Sequence, residues 1–282
     1  MKRHGAGSLV FLSLVLLFMY LPIFVVVIYS FNDNPSRIPT AFTGWTTQWY
    51  AQLFTGRGGY ADALWLSLRV ALWSVAASCV VGTLGAVGMA RKAGRASKLD
   101  SVMETGLTLP IMIPEIILGL AFMVVFNALG LRGNDLRLVL AHTTFCIPYV
   151  FLNVKSRLVG MDASVFDAAR DLGASPARVL RDITLPLISP AIFSGAFLAL
   201  AMSLDDFVIS FFVYGVGEGT LPIKIYSSVK VGVSTQVNAL CTLIIAAVFT
   251  IAALSRYAGA LRRARQRRLN PGPNAVPAAA RH

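Results

Sequence analysis

Apolar residues gather along the chain into six long runs, roughly 8–30, 63–90, 102–129, 138–154, 191–214 and 237–257. At about 1.5 Å of rise per residue each reaches across about 30 Å of hydrocarbon, the fourth only just. Backbone N–H and C=O groups in lipid must pair within the segment, so these runs predict helices. The expected fold class is all-α, a polytopic membrane protein with six transmembrane helices occupying residues 1–269. The first run is too long for a signal peptide and no small-x-small cleavage site follows it, so it reads as a retained span. Two connections are long, 31–62 and 155–190. The tail from Asn270 is rich in Pro, Ala and Gly and reads as disordered.

Composition agrees with this pattern. The chain has 282 residues, 56% hydrophobic and 13% charged, against about a quarter charged in a soluble domain. Its net charge of +12 raises nucleic acid as a partner. The basic residues are not clustered on a soluble face, however; they flank the apolar runs, which argues against nucleic acid. Lys2, Arg3, Arg91, Lys92, Arg95, Lys98, Lys155, Arg157, Arg170, Arg178 and Arg181 lie on one set of flanks with the arginine-rich segment 256–268. The opposite set holds fewer: Arg37, Arg57, Arg69, Arg132, Arg137, Lys224 and Lys230. The positive-inside bias puts both termini in the cytoplasm, the 31–62 connection outside and the 155–190 connection inside. Trp45, Trp49 and Tyr50 in the outer connection suit an interfacial belt; Trp49 also offers a ring to an entering cation.

Cys79, Cys146 and Cys241 sit inside apolar runs without ligand spacing and read as small buried hydrophobes. His142, at a span boundary, reads as a structural hydrogen-bonding residue. No nucleophile–base pair, metal cluster or phosphate loop is present in the sequence, so no cofactor and no catalytic residue are expected.

Three acids do fall within spans: Glu115, Asp205 and Asp206. A central charge costs about 2.5–3.5 kcal/mol on the most lenient scale, so such residues are kept for a partner, a proton or a substrate. Measured along straight spans, Glu115 and Asp205 lie at similar depth, about 20 Å from the cytoplasmic ends. Level carboxylates suit a diamine or triamine, whose methylene stem would take an apolar or aromatic wall. Adjacent Asp205 and Asp206 diverge by about 100° on a helix, so one lines a path while the other bonds a neighbour. Ser203, three residues before Asp206, is placed to hold that carboxylate or to meet an amine. Arg69 is placed to neutralise one of the acids. Pro110 and Pro114 interrupt the third run beside Glu115, as helix breaks at transporter sites do.

The inner connection carries the densest pattern. Val165, Ala168, Ala169 and Leu172 recur at helical spacing and predict a short amphipathic helix. Gly173 stops it, and Ser175-Pro176 starts a second helix as N-cap and first-turn proline. Pro186 and Pro190 are expected to end that helix and lead into the fifth span.

The spacing of Asp167-Ala168-Ala169, Gly173 and Ile183-x-Leu185-Pro186 resembles the EAA loop of binding-protein-dependent ABC importer permeases. In that family this loop is the coupling helix that sits in a cleft of the ATPase subunit. The departure is Asp167, where the family usually has Glu. The stretches 109–115, 142–146, 203–207, 221–227, 231–234 and 237–240 resemble the spermidine/putrescine branch. The resemblance implies a type I ABC importer permease fold. It also implies a second homologous permease subunit, two ATPase subunits, a periplasmic polyamine-binding protein and membrane lipid as partners. Asp167, Ala168, Ala169, Gly173, Ala174, Ser175, Leu185 and Pro186 become the expected ATPase contacts; Glu115, Ser203, Asp205, Asp206 and Trp49 become the expected cargo residues. Related permeases move iron, opines, molybdate or sulfate, but an anionic cargo predicts buried Arg or Lys rather than three acids. A stand-alone cation-coupled carrier would use the acids without the 166–186 loop, and an assembly factor would need no acids in its spans.

Overall fold

The structure, a computed structural model, describes residues 6–36, 41–55, 58–90, 98–162, 164–215, 217 and 219–269. The tail from Asn270, and Lys2, Arg3, Arg37, Arg57, Arg91, Lys92 and Arg95 of the charge argument, lie outside the described residues. The described elements are α1 (Ala6–Tyr29), α2 (Gln48–Phe54), α3 (Tyr60–Ala90), α4 (Lys98–Met112), α5 (Glu115–Ala128) and α6 (Asn134–Val159). There follow α7 (Ser164–Asp171), α8 (Pro176–Arg178), a π-turn over Val179–Thr184, and α9 (Leu185–Asp205). The series ends with α10 (Val208–Val213), α11 (Leu221–Val231) and α12 (Thr235–Leu269). Among the described residues, five helical stretches are long and apolar enough to cross a membrane; α4 and α5 make a sixth if the pair, bent by 109°, is one broken span.

That bend replaces the straight third span. Ile113 precedes a proline, which disfavours the helical conformation at that residue. Pro114 is extended (φ −54°, ψ 132°), and its carbonyl accepts the N–H groups of Ile117 (2.9 Å) and Leu118 (3.1 Å), which starts α5. Pro110, by contrast, stays inside α4.

The fifth span departs in the other direction. Pro186 and Pro190 do not end a helix: α8, the π-turn and α9 run as one helix from Pro176 to Asp205. The wider π-turn directly before Pro186 makes room for its ring. The Thr184 hydroxyl donates to the Val179 carbonyl within that turn (3.2 Å). Pro190 brings no N–H to the Pro186 carbonyl, and the Ser189 hydroxyl donates there instead (2.9 Å). The helix then stops at Asp205, not at Tyr214, and α10 follows after a two-residue break.

The chain divides into two compact units, one containing α1, α2 and α12, the other containing α3 to α10. In the first, α1 exposes apolar side chains all round from Leu9 to Ile28, the pattern of a helix that faces lipid or a partner. In the second, α3, α6 and α9 bury Val70, Ala86, Leu138, Val150, Phe151, Val154, Ile188 and Ala199 against one another. Close approach of α9 to α6 depends on Gly195, where a Cβ would come within 2.9 Å of the Val150 Cα. Small residues at such contacts let membrane helices pack backbone to backbone. The Ser74 hydroxyl adds a hydrogen bond from α3 to the Val139 carbonyl of α6 (3.1 Å).

Candidate functional sites: the inner loop and the broken helices

The loop after α6 is built as its sequence indicates. Asp162 accepts the Ser164 N–H (2.9 Å) at the start of α7, and this bond holds its carboxyl below the usual carboxylate range. At the other end Gly173 sits at φ 82°. Its N–H donates to the Arg170 carbonyl (2.8 Å) and the Ala174 N–H to the Ala169 carbonyl (3.0 Å). These are the two bonds of a Schellman stop, which needs a left-handed residue between them. Ser175 caps the next helix, its hydroxyl accepting the Arg178 N–H (3.4 Å), with Pro176 in the first turn. No residue of α7 is buried, and Leu172 is 89% exposed. Among the described residues Asp167 meets Arg170 of its own helix, at 3.5 Å; Ala168, Ser175, Leu185 and Pro186 are exposed and Ala169 and Ala174 half-buried. Among the described residues nothing buries this face, and exposed apolar patches of this kind mark interaction surfaces in other proteins.

The second locus is the break between α9 and α10. Asp205 is the last residue of α9 and is exposed, while Asp206 leaves the helix in an extended conformation (φ −64°, ψ 119°). The two carboxylates part because the chain turns, not because of helical spacing. Asp206 is buried: Oδ1 accepts the Ile209 N–H (3.2 Å), and Oδ2 accepts the Ser210 N–H (2.8 Å) and hydroxyl (2.7 Å). Ser203 does not hold Asp206. The break removes their helical relation, and the Ser203 hydroxyl lies 2.7 Å from His142 Nδ1 instead. The Phe207 ring lies 4.4 Å from that of Tyr226 and 5.5 Å from that of Phe211. Phe211 and Tyr226 are 50% and 41% exposed, so an open aromatic surface begins two residues after Asp205 in the chain.

Glu115 is the first residue of α5, just past the bend at Pro114, and is exposed. The straight-span ruler that set it level with Asp205 does not apply across a 109° bend. What links the two loci is packing: α5 carries Glu115 and packs on α10, which begins three residues after Asp205. Arg69 neutralises none of the three acids; it pairs with Asp135 at the start of α6. In the other unit, Trp49 Nε1–H donates to the Asn32 carbonyl (2.8 Å). The neighbouring Tyr50 bonds Ser30 (2.6 Å) and stacks near Phe31. Trp49 is thereby tied into its own loop.

Sequence reasoning did not reach His142, Ser210, Phe207, Phe211 or Tyr226 as site residues. Ser210 lies four residues after Asp206 and Phe211 four after Phe207, a spacing that carries weight only once a helix is known to restart at residue 208. His142 carries no local signal for its partners, which lie 61 and 68 residues away.

A helical membrane chain with an uncovered loop helix and acids at helix breaks has the make-up of a permease, and comparison with known proteins agrees. The chain belongs to the family of binding-protein-dependent transport system inner membrane components, whose model matches residues 82–270. It is therefore a multi-pass inner-membrane permease subunit that works with a substrate-binding protein and a separate ATPase. Its relatives include the putrescine transport system permease protein PotI of Escherichia coli K12. The two are 41% identical over 257 residues, 88% of this chain and 89% of that one. The spermidine/putrescine transport system permease protein PotC of the same organism is 39% identical over 235 residues, 83% and 87% of the two chains. Among solved structures, a bacterial ABC transporter involved in the import of the acidic polysaccharide alginate matches with a TM-score of 0.66. The match covers 92% of this chain and 99% of that one at 13% identity, and so bears on the fold alone.

Proposed function

We propose that this chain is one of two permease subunits of an ATP-driven importer that carries polyamines, putrescine or spermidine, into the cytoplasm. The observation that carries the cargo is Asp205. It is an exposed acid at the end of a membrane-spanning helix, two residues before Phe207, whose ring meets those of Phe211 and Tyr226, in a chain whose relatives include permeases named for putrescine and spermidine. An ammonium gains from a carboxylate and from an aromatic face together, and the methylene stem gains from the same rings. Glu115 supplies a second carboxylate for the other end of the cargo, at the bend of the third span.

A periplasmic binding protein hands the cargo over on the outer side, and the path runs between this chain and a homologous second permease. Both termini and the 155–190 connection lie in the cytoplasm. There two ATPase subunits bind, one of them covering α7 and the Gly173–Ser175 turn. The continuous helix from Pro176 to Asp205 gives this contact its mechanical sense. About 45 Å of uninterrupted helix joins the loop to the cargo acid, so a push on the loop moves Asp205 without any hinge between. Trp49 anchors the outer loop at the interface.

The purified complex, rebuilt in vesicles with the binding protein and ATP, should accumulate labelled putrescine or spermidine. Asp205→Asn and Glu115→Gln complexes should assemble and accumulate both at about a tenth of the original rate or less. Uptake at the original rate in both variants removes the polyamine assignment. Uptake by this chain without an ATPase removes the importer.

A further inference from the structure

His142, about a third of the way along α6, is wholly enclosed, with its side chain 1% exposed. Its Nδ1 lies 2.7 Å from the hydroxyl of Ser203 on α9, and its Nε2 lies 2.9 Å from the hydroxyl of Ser210 on α10. Ser210 has one hydroxyl hydrogen and gives it to Asp206 (2.7 Å). Nε2 must therefore carry the hydrogen shared with the Ser210 oxygen. Nε2 is also 3.4 Å from the same Asp206 oxygen. One imidazole thus ties the end of α9 to the start of α10 across a break of only Asp206 and Phe207.

The acceptor sites of Asp206 face Ile209, Ser210 and His142, and its side chain is 3% exposed. A carboxylate enclosed to that degree and holding three hydrogen bonds is out of reach of an ammonium and is stabilised where it stands. Asp205 on one side of it and Phe207 on the other have their positions set by the backbone angles of those two residues.

We infer that His142, with Ser203, Ser210 and Asp206, is a positioning clamp that sets where the Asp205 carboxylate and the Phe207 and Phe211 rings stand, and so which length of polyamine the permease passes. The clamp touches no cargo. Asp206 belongs to it and not to the cargo path, so the adjacent acids have separate duties. This rests on the reading of Asp205 as the cargo acid, and the test separates the two.

The complete complex in vesicles, supplied with binding protein and ATP, is given labelled putrescine and labelled spermidine together, and the ratio of their uptake is read. The ratio is independent of how many complexes assemble, so a defect confined to stability leaves it unmoved. His142→Phe removes both bonds and should shift the ratio at least about threefold. His142→Gln retains one amide donor and acceptor for the serines and should bring the ratio back towards its original value. Where His142→Phe fails to assemble, Ser203→Ala and Ser210→Ala each remove one bond and should shift the ratio in a common direction by less. If the assembled His142 or serine variants lower both cargoes in equal proportion while Asp205→Asn lowers uptake about tenfold or more, the clamp is overturned and the cargo reading stands. If Asp205→Asn passes both cargoes normally, the cargo reading falls and the clamp's purpose falls with it.

Discussion

The loop at Ser164–Arg178 and the break at Ser203–Phe211 are both interruptions in helix, yet they are made in opposite ways. The loop is held by bonds between residues no more than five apart: the Schellman pair around Gly173 and the Ser175 cap. Its side chains are left uncovered. The break is held by a histidine from a distant helix, and its polar groups are enclosed. Local bonds suffice where water can satisfy whatever is left over. A buried, unpaired carboxylate is too costly, so the partners of Asp206 must come from wherever the fold brings them. On the function proposed above, the surface that meets the ATPase is preformed and bare, while the turn next to the cargo acid is locked from behind.

Four substitutions break or sharpen this contrast. The largest effect belongs to Asp205→Asn. Losing a charged hydrogen bond of about 1.5–3 kcal/mol should lower uptake per complex roughly ten- to a hundredfold, with the ATPase still co-purifying. Loss of the ATPase as well would mean that the two regions are not separable. Next comes Gly173→Val, because a side chain at φ 82° costs about 1–2 kcal/mol or more. The ATPase recovered with the permease in mild detergent should fall severalfold while the permease keeps its thermal midpoint. A lowered midpoint would show that the loop supports the bundle after all.

Ser175→Ala removes one cap, worth about 1 kcal/mol. It should weaken ATPase recovery less than Gly173→Val does, and the order of the two variants checks that the turn matters more than the cap. The smallest effect is expected for Trp49→Phe, which removes the bond to the Asn32 carbonyl and keeps an aromatic ring, though a smaller one, at a half-buried position. That loss of about 1 kcal/mol or less should lower the thermal midpoint by a few degrees at most. Uptake should follow the amount of folded protein, whereas a selective loss of uptake would return Trp49 to the cargo path.

Much of the protein can be read from its residues in order. The apolar runs announce the helices because lipid leaves the backbone no alternative. Gly173 and Ser175-Pro176 announce a stop and a start because each acts through bonds to its immediate neighbours. What only the tertiary structure decides is how the prolines and acids are used. Pro114 breaks a span, while Pro190 stays inside one, where the Ser189 hydroxyl serves the carbonyl that Pro190 leaves bare. Asp205 and Asp206 are the same residue type side by side, and their separate fates depend on a histidine more than sixty positions upstream. Spacing along a chain encodes contacts within about one helical turn; it carries no record of which distant side chain will arrive to satisfy a buried charge.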